Sequence, residues 1–568
     1  MRFFDMPARK YDPMISHFKR RSLPTILFAT VAFTVATLAA RAGDWPTLGG
    51  DSRRSGSSEE KIEPPLSLLW RFTGVPLSAT AAGASAPTVV GNTAYFAAKN
   101  NADPNAGAVL FAVDTRNGSR RWVFPNDYGM KDKAVFLTAP VVDKDRVYIG
   151  SSDGYLYVLN AQNGNEISKI RTGGAVSGTP IISEGTLYFG SNDNAVYAFD
   201  AETFAPSGNW RTPFKSNENV NSALISADGY LFFSTADQIV HAITQPTGRA
   251  KWSYRLPFKY APNSLVYADN TLYVPTGPRL FAIQPTSGNT RWTVDLPGEI
   301  LAPPAASGGI VYISCRDAAS QQFLMYAIRS SNRRTAWAKP VALPAAPSAA
   351  PTIVGDIMYV PTKRGVIVAL SKTDGAMLWQ YRAQPSANRA NVNLPTETSV
   401  VSPIAVSDGT IYAVTEDGSL SAFRSDAPDT SAPLLTGRYP QPAQAIFGGP
   451  GMVITGTVLD PGSGLDTGSI KMTIDGIEVT TGYNTSLNLA YYQRKSSGKQ
   501  VDNAASLSDG RHTVTLSAKD YKGNTLNETW SFVVDNNMKP PTVNYDGVKK
   551  PRPSGIVAPK PGGKPAGG

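Results

Sequence analysis

From residue 87 to residue 425 the chain repeats one pattern of apolar and polar positions. A small residue with Pro opens a short apolar run; a turn, an aromatic pair, a polar turn, a second apolar run and a turn ending in Gly follow, before a strand that carries Trp. Three copies show it plainly. Ala139-Pro140 leads to Val147-Tyr148-Ile149-Gly150, Thr179-Pro180 to Leu187-Tyr188-Phe189-Gly190, and Ala350-Pro351 to Met358-Tyr359-Val360, with Pro eight residues before Tyr in each. Runs this short, rich in β-branched and aromatic residues and bounded by turn residues, predict strands. Asp153-Gly154 suits a two-residue hairpin, whose turn needs positive φ, and Asn163-Gly164, Thr247-Gly248, Ser287-Gly288 and Asp374-Gly375 close the next hairpin of their repeats. Each repeat therefore predicts four strands.

Trp recurs at positions 70, 122, 210, 252, 292, 337 and 379, a period near 40 with one interval doubled. Four strands per unit at that period predict a propeller, in which each sheet buries its faces against its neighbours around a central axis. Repeats start at Pro87, Pro140, Pro180, Ala223, Ser264, Pro304, Pro351 and Pro403, so eight blades are expected. The eighth runs through Thr410-Ile411-Tyr412-Ala413 and Leu420-Ser421-Ala422-Phe423 and then lacks its Trp strand, while Leu68-Leu69-Trp70-Arg71-Phe72 is a Trp strand with no blade before it. The N-terminal strand is expected to complete the last blade and remove an exposed edge.

A second domain follows. Val453–Val458, Ile470–Gly476, His512–Ala518 and Trp530–Asp535 alternate with period two between Gly and Asp turns, and about 85 residues of this kind suit an Ig-like β-sandwich. The full expectation is all-β: residues 1–42 a signal peptide, 43–65 a lead-in, 66–425 an eight-bladed propeller of four-stranded blades, 426–449 a Pro-rich linker, 450–536 the Ig-like domain and 537–568 a disordered Pro/Gly/Lys tail. The first 42 residues join a basic region to an apolar run from Leu23 to Ala40 and small residues at Ala40-Arg41-Ala42, the pattern of a secretory signal; a retained anchor is the competing reading.

Charge changes the picture only by where it lies. Residues 1–42 hold 7 Lys and Arg against 2 Asp and Glu, and residues 537–568 hold 6 against 1, so the two ends account for the net charge of +10 and the body is near neutral. A nucleic-acid partner is therefore not expected of the folded part. The tail lysines read as a solvated spacer. The single cysteine, Cys315, cannot form an internal disulfide and sits in an apolar strand run.

The repeat resembles that of pyrroloquinoline-quinone (PQQ) dehydrogenases and of the assembly propeller BamB, in Gly185-Thr186-Leu187-Tyr188-Phe189-Gly190-Ser191 followed by Val196-Tyr197-Ala198-Phe199-Asp200. Asp44-Trp45-Pro46 with Gly50-Asp51 and Arg53 to Gly56 is similar to the lead-in of secreted PQQ-like propellers. Gly462-Ser463-Gly464-Leu465-Asp466 resembles bacterial Ig-like domains. The dehydrogenase resemblance implies PQQ stacked between a Trp and a vicinal disulfide, with Ca²⁺ or a lanthanide held by clustered oxygens beside a catalytic Asp. One Cys cannot supply that disulfide, and the propeller tryptophans recur at one strand position, which assigns them to blade packing.

Little else points to catalysis. Between residues 43 and 568 the only histidines are His241 and His512, in different predicted domains, which excludes a His-based triad or multi-His metal site within one domain. His241 reads as a strand residue. Asp153, Asp193 and Asp417 recur at one hairpin position and read as turn residues. Asp460, Asp466 and Asp475 could approach one another and bind Ca²⁺, although loop turns account for them. No catalytic, cofactor-binding or metal residue is assigned, and no cofactor is expected. The predicted function is an exported, non-catalytic, monomeric binding or scaffolding module for envelope protein or glycan partners, in the periplasm or at the cell surface of a bacterium. The alternatives are a PQQ-dependent dehydrogenase and an adhesin-like protein that binds through its Ig-like domain.

Overall fold

A computed structural model describes residues 43–539 apart from 75–83, 100–106, 126–134, 137, 211–212, 259–263, 384–397, 486 and 495–506. The expected signal segment and most of the expected tail lie outside the described residues. Among those described, every helix-or-strand element is a strand, and no helix is long and apolar enough to cross a membrane.

Eight sheets of four or five strands span Ser57 to Arg424. Their first strands are Thr88–Val90, Val141–Asp143, Ile181–Ser183, Ile225–Ala227, Val266–Ala268, Ala305–Ser307, Thr352–Val354 and Ala405–Ser407, and the sheets are numbered one to eight in that order. Each begins within two residues of the start read from the sequence. In most sheets the chain meanders antiparallel from this inner strand to an outer one, as Val141–Asp143, Arg146–Gly150, Tyr155–Asn160 and Glu166–Arg171 do in the second. Successive inner strands lie side by side, the first also against the eighth, and the Thr352 hydroxyl donates to Ile404 O at 2.8 Å between the seventh and eighth. This is a β-propeller.

The eighth sheet is closed as expected. Ser67–Thr73 pairs antiparallel with Ser419–Arg424, joining the two ends of the repeat array. The residues before it do more than lead in. An inner strand leaves the backbone edge that faces the axis without a sheet partner, and such groups need acceptors. Residues 45–58 supply them while passing from sheet to sheet. Val89 N–H donates to Trp45 O, Val142 to Pro46 O, Ser226 to Ser52 O, Tyr267 to Arg53 O and Ile353 to Gly56 O, at 2.7–3.1 Å. The five donors are the middle residues of inner strands one, two, four, five and seven.

Arg54 pins this segment. Its guanidinium, only 4% exposed, donates to Leu48 O and Thr47 Oγ1 within the segment and to Leu224 O and Pro180 O of the ring. Burial lowers its pKa to about 10, so it remains charged at neutral pH.

Two further sheets enclose a separate apolar core that includes Met452, Ile454, Met472, Leu516, Trp530 and Phe532. One holds Leu434–Tyr439, Val453–Leu459, Leu489–Gln493 and Gly482–Asn484; the other holds Ala445–Ile446, Thr525–Val534, Gly510–Asp520, Leu465–Ile474 and Ile477–Val479. The expected linker at 426–449 is therefore corrected. Leu434–Tyr439 pairs antiparallel with Val453–Leu459, and Ala445–Ile446 runs parallel to the end of Thr525–Val534. Its prolines stand between and beside short edge strands, where a missing N–H is tolerated.

Two outcomes follow. Deleting residues 43–73 removes the closing strand and the axial segment together, so the protein should aggregate and lose its single cooperative melt; a monomer on gel filtration with unchanged melting would contradict the closure. Residues 450–536 expressed alone lack two edge strands and should give a broad, weakly cooperative melt, whereas residues 427–539 should unfold in one sharp transition by circular dichroism.

Candidate functional site

The repeated aromatic residues donate to turn carbonyls of the neighbouring sheet, in three cases two to one carbonyl. Ala161 O, in the turn before the outer strand of sheet two, accepts from Tyr95 Oη at 3.1 Å and Trp122 Nε1 at 2.9 Å, both in sheet one. Gln245 O accepts likewise from Tyr188 and Trp210, and Lys372 O from Tyr312 and Trp337. Trp70 and Trp252 make the same step to Thr115 O and Pro285 O. Buried indole and phenol groups need acceptors, and the neighbouring turn presents one. The Gly of that turn lies flat on the indole. A Cβ on Gly375, at φ +79°, would come within 2.9 Å of Trp337, so only glycine gives both the conformation and the room. Sheet two has no Trp. There Tyr148 Oη and, in place of an indole, Arg146 Nη1 donate to Ala201 O at 2.8 and 2.7 Å, and Phe204 occupies the glycine's place.

Sheet seven breaks the pattern. Its neighbour takes its outer strand from the N-terminus, so after Arg424 no turn returns to receive the seventh sheet's donors. Tyr359 Oη instead donates to Ile62 O in the lead-in, at 2.8 Å. Trp379 Nε1 donates to Ser463 O at 2.7 Å and Tyr381 Oη to Pro461 O at 3.0 Å, both in the loop between Val453–Leu459 and Leu465–Ile474. Leu68 N–H bonds Gly462 O at 3.0 Å, and Gly464, at φ +89°, lies over Gln380 O with no room for a Cβ. Further out, Arg382 bonds Thr485 O and Asn488 Oδ1, and Lys522 Nζ donates to Ser425 O. Trp379 is wholly buried. The second core is thus docked on the propeller rim through the place a blade turn would fill.

Three carboxylates stand behind that docking loop. Oxygens of Asp429, Asp460 and Asp520 lie within 4.8 Å of one another. Asp460 Oδ2 accepts from Gly462 N–H at 3.1 Å and Gly464 N–H at 2.7 Å, Asp429 Oδ2 from Ser463 N–H at 2.7 Å, and Asp520 Oδ1 from Lys522 and Asn524 N–H at 2.9 Å. Burial pushes the Asp460 carboxyl up to about 6, and the charges of Asp429 and Asp520 add to the rise against the pull of the two glycine amides.

Of the three aspartates singled out as a possible Ca²⁺ set, only Asp460 belongs to this cluster. Asp466 caps its own turn through Gly468 N–H. Asp475 is 2.6 Å from His512 Nδ1; burial works against its ionisation, but that bond and the Thr513 amide hold its carboxyl below the usual value. Asp429 and Asp520 were missed because they stand far apart in sequence, at a loop and at the end of a strand. The turn bonds from Asp520 to Asn524 were the only local signal.

The other candidates lie apart. Asp153 and Asp193 accept from Tyr157 and Tyr197 Oη of their own hairpins, and Asp417 pairs with Arg71 at 2.7 Å across the closing strands. His241 stacks on Phe233, with Thr235 and Ser253 hydroxyls on its two nitrogens, and burial lowers its pKa. Cys315 is buried, its thiol pushed up to about 11.

The aromatic donors on turn carbonyls and the four-strand period define a propeller of the PQQ-type repeat. The model of the family described as outer membrane protein assembly factor BamB matches residues 67–254 and 259–444, and the chain belongs to that family. A quinohemoprotein alcohol dehydrogenase of Comamonas testosteroni is 31% identical over 140 residues, 23% of this chain and 18% of that protein. BamB of Yersinia pestis is 23% identical over 147 residues, 25% of this chain and 36% of that one. The matches thus span well under two thirds of either relative. The crystal structure of the Comamonas enzyme superposes with a TM-score of 0.54 at 16% identity, covering 71% of this chain and 83% of that one, a likeness of fold.

Trp379→Phe removes one donor and leaves Ser463 O buried, so it should cost roughly 1–3 kcal/mol. It should also speed proteolysis around residues 426–433. Trp122→Phe, a similar loss inside the ring, should lower the melting temperature comparably without that cleavage.

Proposed function

We propose that the protein is an exported, non-catalytic scaffold: an eight-bladed propeller closed by its N-terminal strand, carrying an Ig-like sandwich fixed to its rim, that holds a protein partner of the cell envelope. The observation that carries the reading is how the aromatic side chains are spent. The indoles of Trp70, Trp122, Trp210, Trp252, Trp337 and Trp379 all donate to a backbone carbonyl of the next sheet or of the sandwich loop. A quinone cofactor of the dehydrogenase type needs a Trp face, a vicinal disulfide and clustered oxygens in the funnel. The single Cys is buried in a strand, and the one close carboxylate group among the described residues lies at the junction, not on the ring axis. These residues do not fit that cofactor.

Membership of the assembly-factor family supports a protein partner. The sandwich extends the surface on which such a partner could dock, and its rigid seat on sheet seven fixes its direction relative to the ring.

The dehydrogenase reading keeps one observation in its favour, the 31% identity to the Comamonas enzyme over a quarter of the chain or less. Purified protein supplied with PQQ, Ca²⁺ or a lanthanide, an alcohol or aldose and an artificial electron acceptor should reduce no dye. Affinity capture from envelope extracts should recover the same protein partner with the full chain and with residues 43–425 if the ring is the binding part. Stoichiometric PQQ binding with substrate-dependent dye reduction would overturn the scaffold reading.

A further inference from the structure

The acidic cluster behind the docking loop has a feature that turn-capping does not explain. Asp460 is 3% exposed, and while its Oδ2 takes two glycine amides, its Oδ1 is buried without any hydrogen-bond partner. A buried ionised oxygen left unpaired is strongly unfavourable, and two more carboxylates stand within 4.8 Å of it. No Lys or Arg among the described residues forms an ion pair with any of the three. The neighbouring cations are engaged elsewhere: Arg71 with Asp417, Arg424 with Asp426, and Lys522 Nζ with Ser425 O.

We propose that Asp429, Asp460 and Asp520 bind one Ca²⁺ ion, which locks the loop 460–464 in the form that receives Trp379 and Tyr381 and so fastens the sandwich to the propeller. The ligand class follows from the donors. All three are hard anionic oxygens, two on loops and one at a strand end, a set suited to Ca²⁺, which accepts six to eight oxygens in adaptable geometry, and less so to Mg²⁺, which demands a near-ideal octahedron. The three come from different segments: the exit from the ring, the docking loop and the end of Gly510–Asp520. An ion held by all of them ties those segments together. Asn524, whose side-chain amide bonds both Asp429 O and Asp520 Oδ2, already bridges two of them.

The inference does not depend on the scaffold reading, since a catalytic propeller could dock its sandwich in the same way. The test uses the full chain stripped with chelator. Calorimetric titration with CaCl₂ should show one Ca²⁺ bound per chain, at least tenfold more tightly than Mg²⁺. Excess Ca²⁺ should raise the melting temperature by about 3 °C or more over EDTA and slow proteolysis near residues 426–433. Asp460→Asn should weaken Ca²⁺ binding more than tenfold, while Asp466→Asn, just outside the cluster, should leave it unchanged. If Asp460→Asn does not fold, the wild-type titration and proteolysis decide alone. Absence of Ca²⁺ binding, tighter binding of Mg²⁺, or an Asp460→Asn protein that melts higher than wild type equally in Ca²⁺ and EDTA would overturn the proposal, the last because it is what a bare, self-repelling carboxylate cluster gives.

Discussion

A backbone carbonyl presented by the turn before an outer strand and taken by a Trp of the preceding sheet, with a Tyr beside it at Ala161, Gln245 and Lys372, is the contact on which the ring depends. Packing alone lets neighbouring sheets slide, because dispersion between flat apolar faces is nearly isotropic. Two aromatic donors on one acceptor are directional. They fix the rotation of each sheet against the next, as at Ala161, Gln245 and Lys372. The glycine beneath each indole is part of the same contact, since a side chain there would lift the ring off its acceptor.

Closure by an N-terminal strand creates a place where this contact has no receiver within the ring. The eighth sheet borrows its outer strand, so its own connecting turn is replaced by the chain's exit toward the sandwich. Trp379 and Tyr381 would then bury two donors without acceptors, at roughly 1–3 kcal/mol each. The sandwich loop resolves this with Ser463 O and Pro461 O. The second domain is thus seated by a requirement of the first. The carboxylates that shape its loop sit where a rigid connection matters most.

The axial segment answers a different need. Inner strands turn one backbone edge toward the axis, and residues 45–58 satisfy five of those edges with carbonyls. Arg54 reaches five carbonyl or hydroxyl oxygens across two sheets and the segment itself, using the fixed fork of a guanidinium where a lysine would reach one or two. That end of the axis is thus lined by the protein's own chain.

The strands, their starts, the closing role of Leu68–Phe72 and the spacing of Trp70 to Trp379 were all legible in the sequence, because they are set by local chemistry: short apolar runs, turn glycines and a period near 40. The reading of 426–449 as a linker failed for a physical reason. Prolines break ladders without preventing a short edge strand, and whether Leu434–Tyr439 pairs depends on Val453–Leu459 arriving beside it. Of the acidic cluster only Asp460 was legible, weighed with Asp466 and Asp475 as a Ca²⁺ set against loop turns; Asp429 and Asp520 become its neighbours only when a loop, a hairpin end and the ring's exit are brought together. Residue order thus determined the repeated blade and the donors it carries, while the tertiary structure alone decided which carbonyl each donor meets, because at the ring's closure the acceptor comes from another domain.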